Sequence, residues 1–238
     1  MTFNQAQYAV RCEWGLSGVR TLGPTSDVVI IVDTLSFCTC VEIAVSRGAK
    51  VIPCPWKGNH ARELAGRLGA ELANERRTTE RLSLSPQSLL RISPGTKLVL
   101  PSPNGSTLTL DSPTLTVAGC LRNSRAVAEF AQRQGATVTV IPAGEQWPDG
   151  TLRPAFEDLV AAGAIISHLH GELSPESETA LAVYQSCKSR LDELLLNCGS
   201  GRELVERGFS EDVHLASALD CSETIPVLKS GRYVQAAG

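Results

Sequence analysis

Two patterns of apolar positions alternate along this chain. Short β-branched runs such as Val28–Val32 are apolar at every position, which is typical of strands that helices cover on both faces. Between such runs, as in residues 38–47, apolar side chains recur every three or four positions, as on a helix with one buried face. This alternation predicts parallel strands connected by right-handed helical crossovers.

The predicted elements extend through most of the sequence. Gly48 and Gly69 each follow a helical pattern and are expected to end it, while the polar residues 74–95 are expected to form a loop. We therefore expect an α/β protein in which a mixed, largely parallel sheet lies between helices, with a helix-rich C-terminal half. Strands are predicted at 8–14, 28–32, 50–54, 70–73, 97–100, 114–118 and 137–141, with strand-like pieces in 225–234, and helices at 38–47, 60–68, 124–133, 155–169 and within 174–218.

The domain organisation follows from the continuity of this pattern. The chain contains no internal repeat, low-complexity tract or linker that divides it cleanly. A single domain over residues 1–238 is therefore expected. The change to a more helical pattern after Arg153 makes a subdivision near 145–153 the alternative.

The composition of the chain argues against two classes of partner, nucleic acids and membranes. The 238 residues are 42% hydrophobic and 20% charged, with a net charge of −3 and no long basic run. We therefore expect no nucleic-acid partner, since such binding needs a clustered basic face. No apolar stretch approaches the roughly 20 residues needed to cross a bilayer. The first residues lack a signal-peptide pattern, so no membrane association and a cytoplasmic location are expected.

The cysteines and several missing motifs limit the classes of enzyme. The eight cysteines contain no CxxC pair, which argues against a zinc ribbon or a thioredoxin-type centre. Cys38 and Cys40 lie at a predicted helix start, where a thiol pKa is lowered, so a thiol enzyme that uses Cys38 is one hypothesis. The sequence lacks the GxSxG, Walker lysine and GxGxxG motifs of serine hydrolases, P-loop proteins and dinucleotide enzymes.

A candidate site begins at Asp33, which directly follows the strand at 28–32 and precedes Thr34, Ser36 and Thr39. Ligands of open α/β sheets bind at the carboxyl ends of strands, and a helix start presents N–H groups to an anion. An acid beside such amides suits a metal ion held against a phosphate. The alternative is that Asp33 only caps the next helix.

Two further segments carry anion-binding chemistry. Glu75 precedes Arg76 and Arg77, whose guanidinium groups suit phosphate or sulfonate, and the alternative is a loop whose charges pair with one another. Residues 104–106 follow the strand at 97–100 and form either an anion-binding bend or a plain turn. Both segments thus have a functional and a purely structural interpretation.

Two more strand-to-helix regions complete the set. Arg122 and Asn123 lie at such a junction, where Asn123 can serve as the N-cap of the helix. The adjacent acids Glu157 and Asp158 supply the oxygen donors that Mg²⁺ prefers, or only stabilise the dipole of the next helix.

Taken in order, these segments resemble the 2-phosphosulfolactate phosphatase family, also called ComB-like. The likeness covers almost the whole chain, and its specificity lies in the ordered set rather than in one element. It implies a three-layer α/β/α fold and a Mg²⁺-dependent phosphoric monoester hydrolase. The family reaction converts 2-phospho-3-sulfolactate to 3-sulfolactate and phosphate in coenzyme M biosynthesis. The matching segments are 33–39, 74–76, 102–107, 119–128, 142–144, 157–159, 208–212 and 225–228.

The resemblance implies roles for individual residues. Catalysis is assigned to Asp33, Glu75 and Asn104. The expected ligands of the Mg²⁺ ion are Asp33 with Glu75, or Asp33 with Glu157 and Asp158. The expected substrate is a small anionic phosphorylated acid. The residues assigned to substrate binding are Ser36, Thr39, Arg76, Gly105, Ser106, Arg122 and Asn123.

Departures from the family pattern define a second hypothesis. Ser36 stands where the family has an arginine, Asn74 replaces a glycine, and residues 81–88 lack an acid and an asparagine. The alternative is therefore a catalytically impaired member that binds an anionic metabolite. A homodimer is expected only from the general frequency of such assemblies.

Overall fold

The helices and strands are taken from a computed structural model that describes residues 3–55, 59–75 and 77–237. Helices α1 to α11 are Gly15–Leu22, Phe37–Ser46, His60–Leu68, Pro86–Leu89, Gly105–Asp111, Ser124–Gln134, Phe156–Ile166, Pro175–Cys187, Leu191–Asn197, Gly199–Glu206 and Ser210–Ser217. Strands β1 to β11 are Val10–Cys12, Val28–Val32, Lys50–Cys54, Glu71–Leu72, Lys97–Pro101, Leu115–Gly119, Val138–Pro142, Glu145–Gln146, Leu152–Arg153, Pro226–Lys229 and Arg232–Gln235.

A nine-stranded mixed sheet with the order β1-β7-β2-β6-β10-β11-β3-β5-β4 forms the centre of the fold. Strands β1, β7, β2 and β6 are parallel to one another, and so are β3, β5 and β4. The antiparallel hairpin β10–β11 lies between these two blocks and is antiparallel to both β6 and β3. Because three successive pairings are antiparallel, the two parallel blocks run in opposite directions.

Helices cover both faces of the sheet, which makes the three layers. Successive residues of a strand point to opposite faces, and in β2 Ile30 packs against the cluster that includes α6 to α11, while Ile31 packs against α1, α2, α4 and α5. A smaller cluster joins α3 to Ile52 of β3 and Val99 of β5. The expected three-layer α/β/α fold, with its helix-rich C-terminal half, is confirmed.

Most predicted elements are present within one or two residues, and the differences have local causes. Gly69 ends α3 in the left-handed conformation that glycine tolerates, and the Ser174 hydroxyl accepts a hydrogen bond from Ser177 N at the start of α8. The helical run after α8 is interrupted by a 3₁₀ turn at Lys188–Arg190. The irregular region 74–95 contains the short helix α4.

Two features were not expected from local patterns. Helix α1 contains glycine, serine and threonine, which are weak helix formers, and the buried Val19 and Leu22 hold it against the protein. The alternation of strands and helices predicted parallel strands, yet the antiparallel pair β10–β11 lies between β6 and β3 in the sheet. Long-range pairing by the C-terminal hairpin decides this order.

The segment near 145–153, where a subdivision was considered, forms the antiparallel hairpin β8–β9. The described chain has no helix with both the length and the apolar character needed to span a membrane.

Candidate active site

Asp33 stands at the end of β2 and connects two helix starts. Its Oδ1 accepts a hydrogen bond from Phe37 N at 3.0 Å, and its Oδ2 accepts one from Gly105 N at 2.9 Å. These amides begin α2 and α5, so Asp33 does cap the following helix, as the structural interpretation held. The peptide bond between Leu35 and Ser36, in the intervening turn, is cis.

Gly105 must be a glycine for this contact to form. A Cβ atom there would overlap the ring of Phe37 and lie 2.7 Å from Asp33 Oδ2. The close approach of the α5 backbone to Asp33 thus depends on the missing side chain. Although β2 and β5 belong to blocks of opposite direction, the segments that follow them meet at this point.

A cavity of about 350 Å³ opens beside Asp33. Of the residues predicted from sequence, Asp33, Ser36 and Asn104 line it. The cavity wall also includes Arg77, which the sequence indicated as an anion-binding residue beside Arg76. Four further charged residues of the wall were not singled out from sequence, namely Glu145, Arg153, Glu203 and Arg207.

Glu145, in β8, is the second carboxylate of the site. Its Oε2 accepts a hydrogen bond from Asn104 Nδ2 at 2.8 Å, which orients the carboxylate. Burial raises the pKa of Glu145 to about 7, and the negative charge of Asp33 adds to this effect. Burial is also the main cause that raises the pKa of Asp33, while the Phe37 and Gly105 amides lower it in part.

Three arginines bring positive charge to the cavity from three different elements. Arg77 comes from the irregular segment after β4, Arg153 from β9 and Arg207 from the residue after α10. Arg153 donates to Ser200 Oγ at 3.1 Å and lies over the ring of Trp147. Arg207 pairs with Glu203 at 2.8 Å. Arg76, which was assigned to substrate binding, lies outside the described residues.

The acids at the start of α7 lie buried beside the Asp33 turn. Asp158 accepts hydrogen bonds from Thr34 N at 2.7 Å and from Gly144 N at 2.9 Å, so it fixes two site loops. Burial raises its pKa well above the usual range, and the charge of Glu157 raises it further. Glu157 accepts a hydrogen bond from the Cys198 thiol at 3.3 Å.

Other predicted residues make structural contacts. The Ser106 hydroxyl is buried, accepting from Cys54 N and donating to Leu100 O, and the Thr39 hydroxyl donates to Thr34 O.

At the junction after β6, Asn123 donates to Ala118 O and Thr224 O and accepts from Cys120 N. Arg122 pairs with Glu42, and Glu75, 56% exposed, pairs with Arg62.

The hypothesis of a Cys38 nucleophile loses its physical basis. The thiol is fully buried and donates to Ile31 O at 3.2 Å. Burial raises its pKa well above the usual range, and the charge of Asp33 adds to the effect. A buried thiol that stays protonated is a poor nucleophile.

The donor set suits Mg²⁺ in part. In the described ranges, no group of three or more His, Cys, Asp or Glu side chains is arranged to hold a metal ion. However, Mg²⁺ is usually bound by one or two carboxylates and completes its shell with water and substrate phosphate. Asp33 and Glu145 offer such a pair, because each oxygen that accepts one hydrogen bond retains a second lone pair.

Comparison with known proteins gives a consistent result. A family model described as 2-phosphosulpholactate phosphatase matches residues 19–231. The chain is similar to 2-phosphosulfolactate phosphatase of Methanothermobacter thermautotrophicus, with 30% identity over 87% of this chain and 89% of the relative. It is also similar to a probable 2-phosphosulfolactate phosphatase of Pseudothermotoga lettingae, with 26% identity over 88% and 93% of the two chains. Given this coverage, the chain belongs to the 2-phosphosulfolactate phosphatase family.

Proposed function

We propose that this chain is a Mg²⁺-dependent phosphatase that hydrolyses 2-phospho-3-sulfolactate to 3-sulfolactate and phosphate. The observation that carries the proposal is the cavity in which Asp33 and Glu145 meet three arginines. Family membership supports the reaction class, since the relatives are named as phosphatases. A cytoplasmic location is also proposed, because all eight cysteines are free thiols, as suits a reducing compartment.

Asp33 and Glu145 would hold the Mg²⁺ ion. Both carboxyl groups have a raised pKa, chiefly because they are buried, and the charge of Asp33 raises the pKa of Glu145 further. A cation held by both carboxylates would relieve this repulsion. When bound, Mg²⁺ supplies charge neutralisation at the phosphoryl oxygens and activation of the attacking water. Asn104 keeps the Glu145 carboxylate in position through its amide hydrogen bond.

The arginines would bind the anionic groups of the substrate. A guanidinium group presents paired N–H donors that match phosphate, sulfonate and carboxylate oxygens. Arg77, Arg153 and Arg207 surround the cavity. A substrate that carries several anionic groups fits such a wall better than a singly charged one does.

Arg77 also bears on the alternative of an impaired member. Ser36 stands where the resemblance implies an arginine, and Arg77 donates to the Ser36 hydroxyl at 3.0 Å. A guanidinium group from another segment therefore lies beside this position. The missing family arginine at position 36 is therefore no argument for an impaired member.

The test is phosphate release from 2-phospho-3-sulfolactate and related phosphorylated 2-hydroxy acids, with Mg²⁺ and with a chelator. We expect release that requires Mg²⁺ and that is greatest for the sulfonated acid. Binding of 3-sulfolactate without any phosphate release would overturn the proposal in favour of the impaired alternative. Release that persists in the chelator would overturn the role of the metal.

A further inference from the structure

Arg77 is held more firmly than the other arginines of the cavity. Its Nη1 donates to Asp212 at 2.7 Å, its Nη2 donates to Ser36 Oγ at 3.0 Å, and its guanidinium carbon lies 5.7 Å from the centre of the Phe209 ring. The side chain is 10% exposed. Two nitrogens and one face of the guanidinium group are therefore fixed by the protein.

Arg207 provides a contrast. Its side chain is 51% exposed, and its ion pair with Glu203 joins neighbouring turns at the end of α10. Such exposed pairs restrict a long side chain only weakly. The guanidinium group of Arg77 is therefore held in a more fixed position than that of Arg207, which suits it better to bind an anionic group of the substrate.

Asp212 is the residue that organises this charge. It lies in the first turn of α11 and is completely buried. Its second oxygen, Oδ1, accepts hydrogen bonds from Ser85 Oγ at 2.7 Å and from Gln87 N at 3.0 Å. The carboxylate therefore ties Arg77 to α11 and to the start of α4.

The arrangement has a functional meaning because a fixed guanidinium group loses little entropy when it binds an anion. Arg77 uses one nitrogen for Asp212 and another for Ser36, and it retains further N–H donors in the cavity wall. Asp212 is not itself part of the wall, so its effect on the substrate passes through Arg77.

We propose that Asp212 is a positioning residue that fixes Arg77 to bind the substrate's second anionic group, the carboxylate or sulfonate beside the phosphate ester. This inference rests on the proposed phosphatase function. It assigns selectivity for acidic phosphate esters to a residue outside the cavity.

The experiment compares two substrates in wild type, Asp212→Asn, Arg77→Ala and the double variant. One substrate is 2-phospho-3-sulfolactate, and the other is para-nitrophenyl phosphate, which lacks a second anionic group. We expect Asp212→Asn to raise KM for the sulfonated acid about tenfold or more, as for a lost charged hydrogen bond, with kcat and the aryl phosphate little changed. In the Arg77→Ala background, Asp212→Asn should have no further effect on KM.

Ser85→Ala is the matched control. It removes one hydrogen bond from Asp212 Oδ1 and leaves the Arg77 bond to Oδ2 in place. We expect it to lower thermal stability without changing KM. An equal loss with both substrates, or an equal KM effect in Ser85→Ala, would show a merely structural role and overturn the inference.

A binding measurement keeps the inference separate from catalysis. Calorimetric titration with 3-sulfolactate should show weaker binding by Asp212→Asn than by wild type, about tenfold or more. If wild type binds 3-sulfolactate but hydrolyses neither substrate, the proposed function fails while this comparison still decides the inference. Equal affinity in the two proteins, or no binding by wild type, overturns it.

Discussion

Glu145 changes its charge near neutral pH. Its pKa is raised to about 7, chiefly by burial, so a substantial fraction of the carboxyl group is protonated at that pH. If Mg²⁺ binds here as proposed, it competes with a proton for the same oxygen atoms, and its binding releases the proton. The affinity for Mg²⁺ should follow the ionisation of this residue.

At a limiting Mg²⁺ concentration, we expect activity to rise with pH and to level off above about 7. Below this value the rate should fall about tenfold per pH unit where Glu145 alone titrates. Glu145→Gln should lose this dependence together with most of the activity. Initial rates measured across this pH range at limiting and saturating Mg²⁺ check the prediction, and a step that persists in Glu145→Gln contradicts it.

Glu75→Gln distinguishes the structural assignment from the sequence-based one. Glu75 is 56% exposed and pairs with Arg62, so its replacement should change kcat by less than about twofold, as expected for an exposed pair. Loss of Mg²⁺-dependent activity in Glu75→Gln would restore the role that the family resemblance implied for it. Steady-state kinetics at saturating Mg²⁺ are the measurement.

Gly105→Ala tests the contact that holds Asp33. Since the new Cβ would overlap Phe37 and crowd Asp33 Oδ2, we expect the unfolding free energy to fall by about 1–3 kcal/mol. Activity should fall about tenfold or more, because Asp33 moves. Chemical denaturation and phosphate release are the measurements, and unchanged activity would contradict the placement of Asp33 in the site.

Sequence indicated some site residues better than others. Asp33 and Asn104 follow strands, and the carboxyl ends of strands carry a general expectation of ligand binding. Glu145 also lies just after a strand, β7, so the same rule could have predicted it as a site residue. Arg77 lies in a segment that the sequence indicated as anion-binding, together with Glu75 and Arg76. Arg153 and Arg207 carried no such signal, because only tertiary folding brings a hairpin and a helix end to the cavity.

Helices α7 and α8 pack unusually closely through Gly163. A Cβ atom at this position would overlap Ala180 O in α8. The helical pattern around residues 156–166 predicted α7 itself, but nothing in that pattern indicated which face of α8 it would meet. The close contact is a property of the pair of helices rather than of either sequence segment.

We expect Gly163→Ala to lower the unfolding free energy by about 1–3 kcal/mol through this overlap. Gly66→Ala is the matched control, because among the described residues no atom outside the adjacent turns of α3 lies within 4 Å of the added Cβ. There the better helix propensity of alanine should stabilise the protein by up to about 1 kcal/mol. Denaturant unfolding of both variants checks the prediction, and equal effects would contradict the close packing.

The hairpin β10–β11 connects the two parallel blocks of the sheet. The fully buried Tyr233 lies in it, shares a hydrogen bond with Thr109 at 2.8 Å and packs edge-on against Phe37. The hairpin therefore supports both the sheet and the two helices, α2 and α5, whose first amides hold Asp33. Sequence predicted strand-like pieces here, but their central position depends on pairing with strands far away in the chain.

We expect removal of residues 224–238 to abolish the cooperative unfolding transition, because it leaves β6 and β3 without the strands between them. Tyr233→Phe is the control, which keeps the hairpin and loses one buried hydrogen bond, at a cost of about 1 kcal/mol. Thermal unfolding followed by circular dichroism distinguishes the two. A sharp transition in the shortened chain would contradict the bridging role.

The place of this hairpin has a consequence for biosynthesis. Residues 226–235 leave the ribosome after strands β1 to β9, yet they occupy the middle of the sheet. Nascent chains that stop before Pro226 carry two open strand edges, and such edges invite pairing with other polypeptides. Protection of these edges by a chaperone during translation is therefore most valuable until residues 226–235 have emerged.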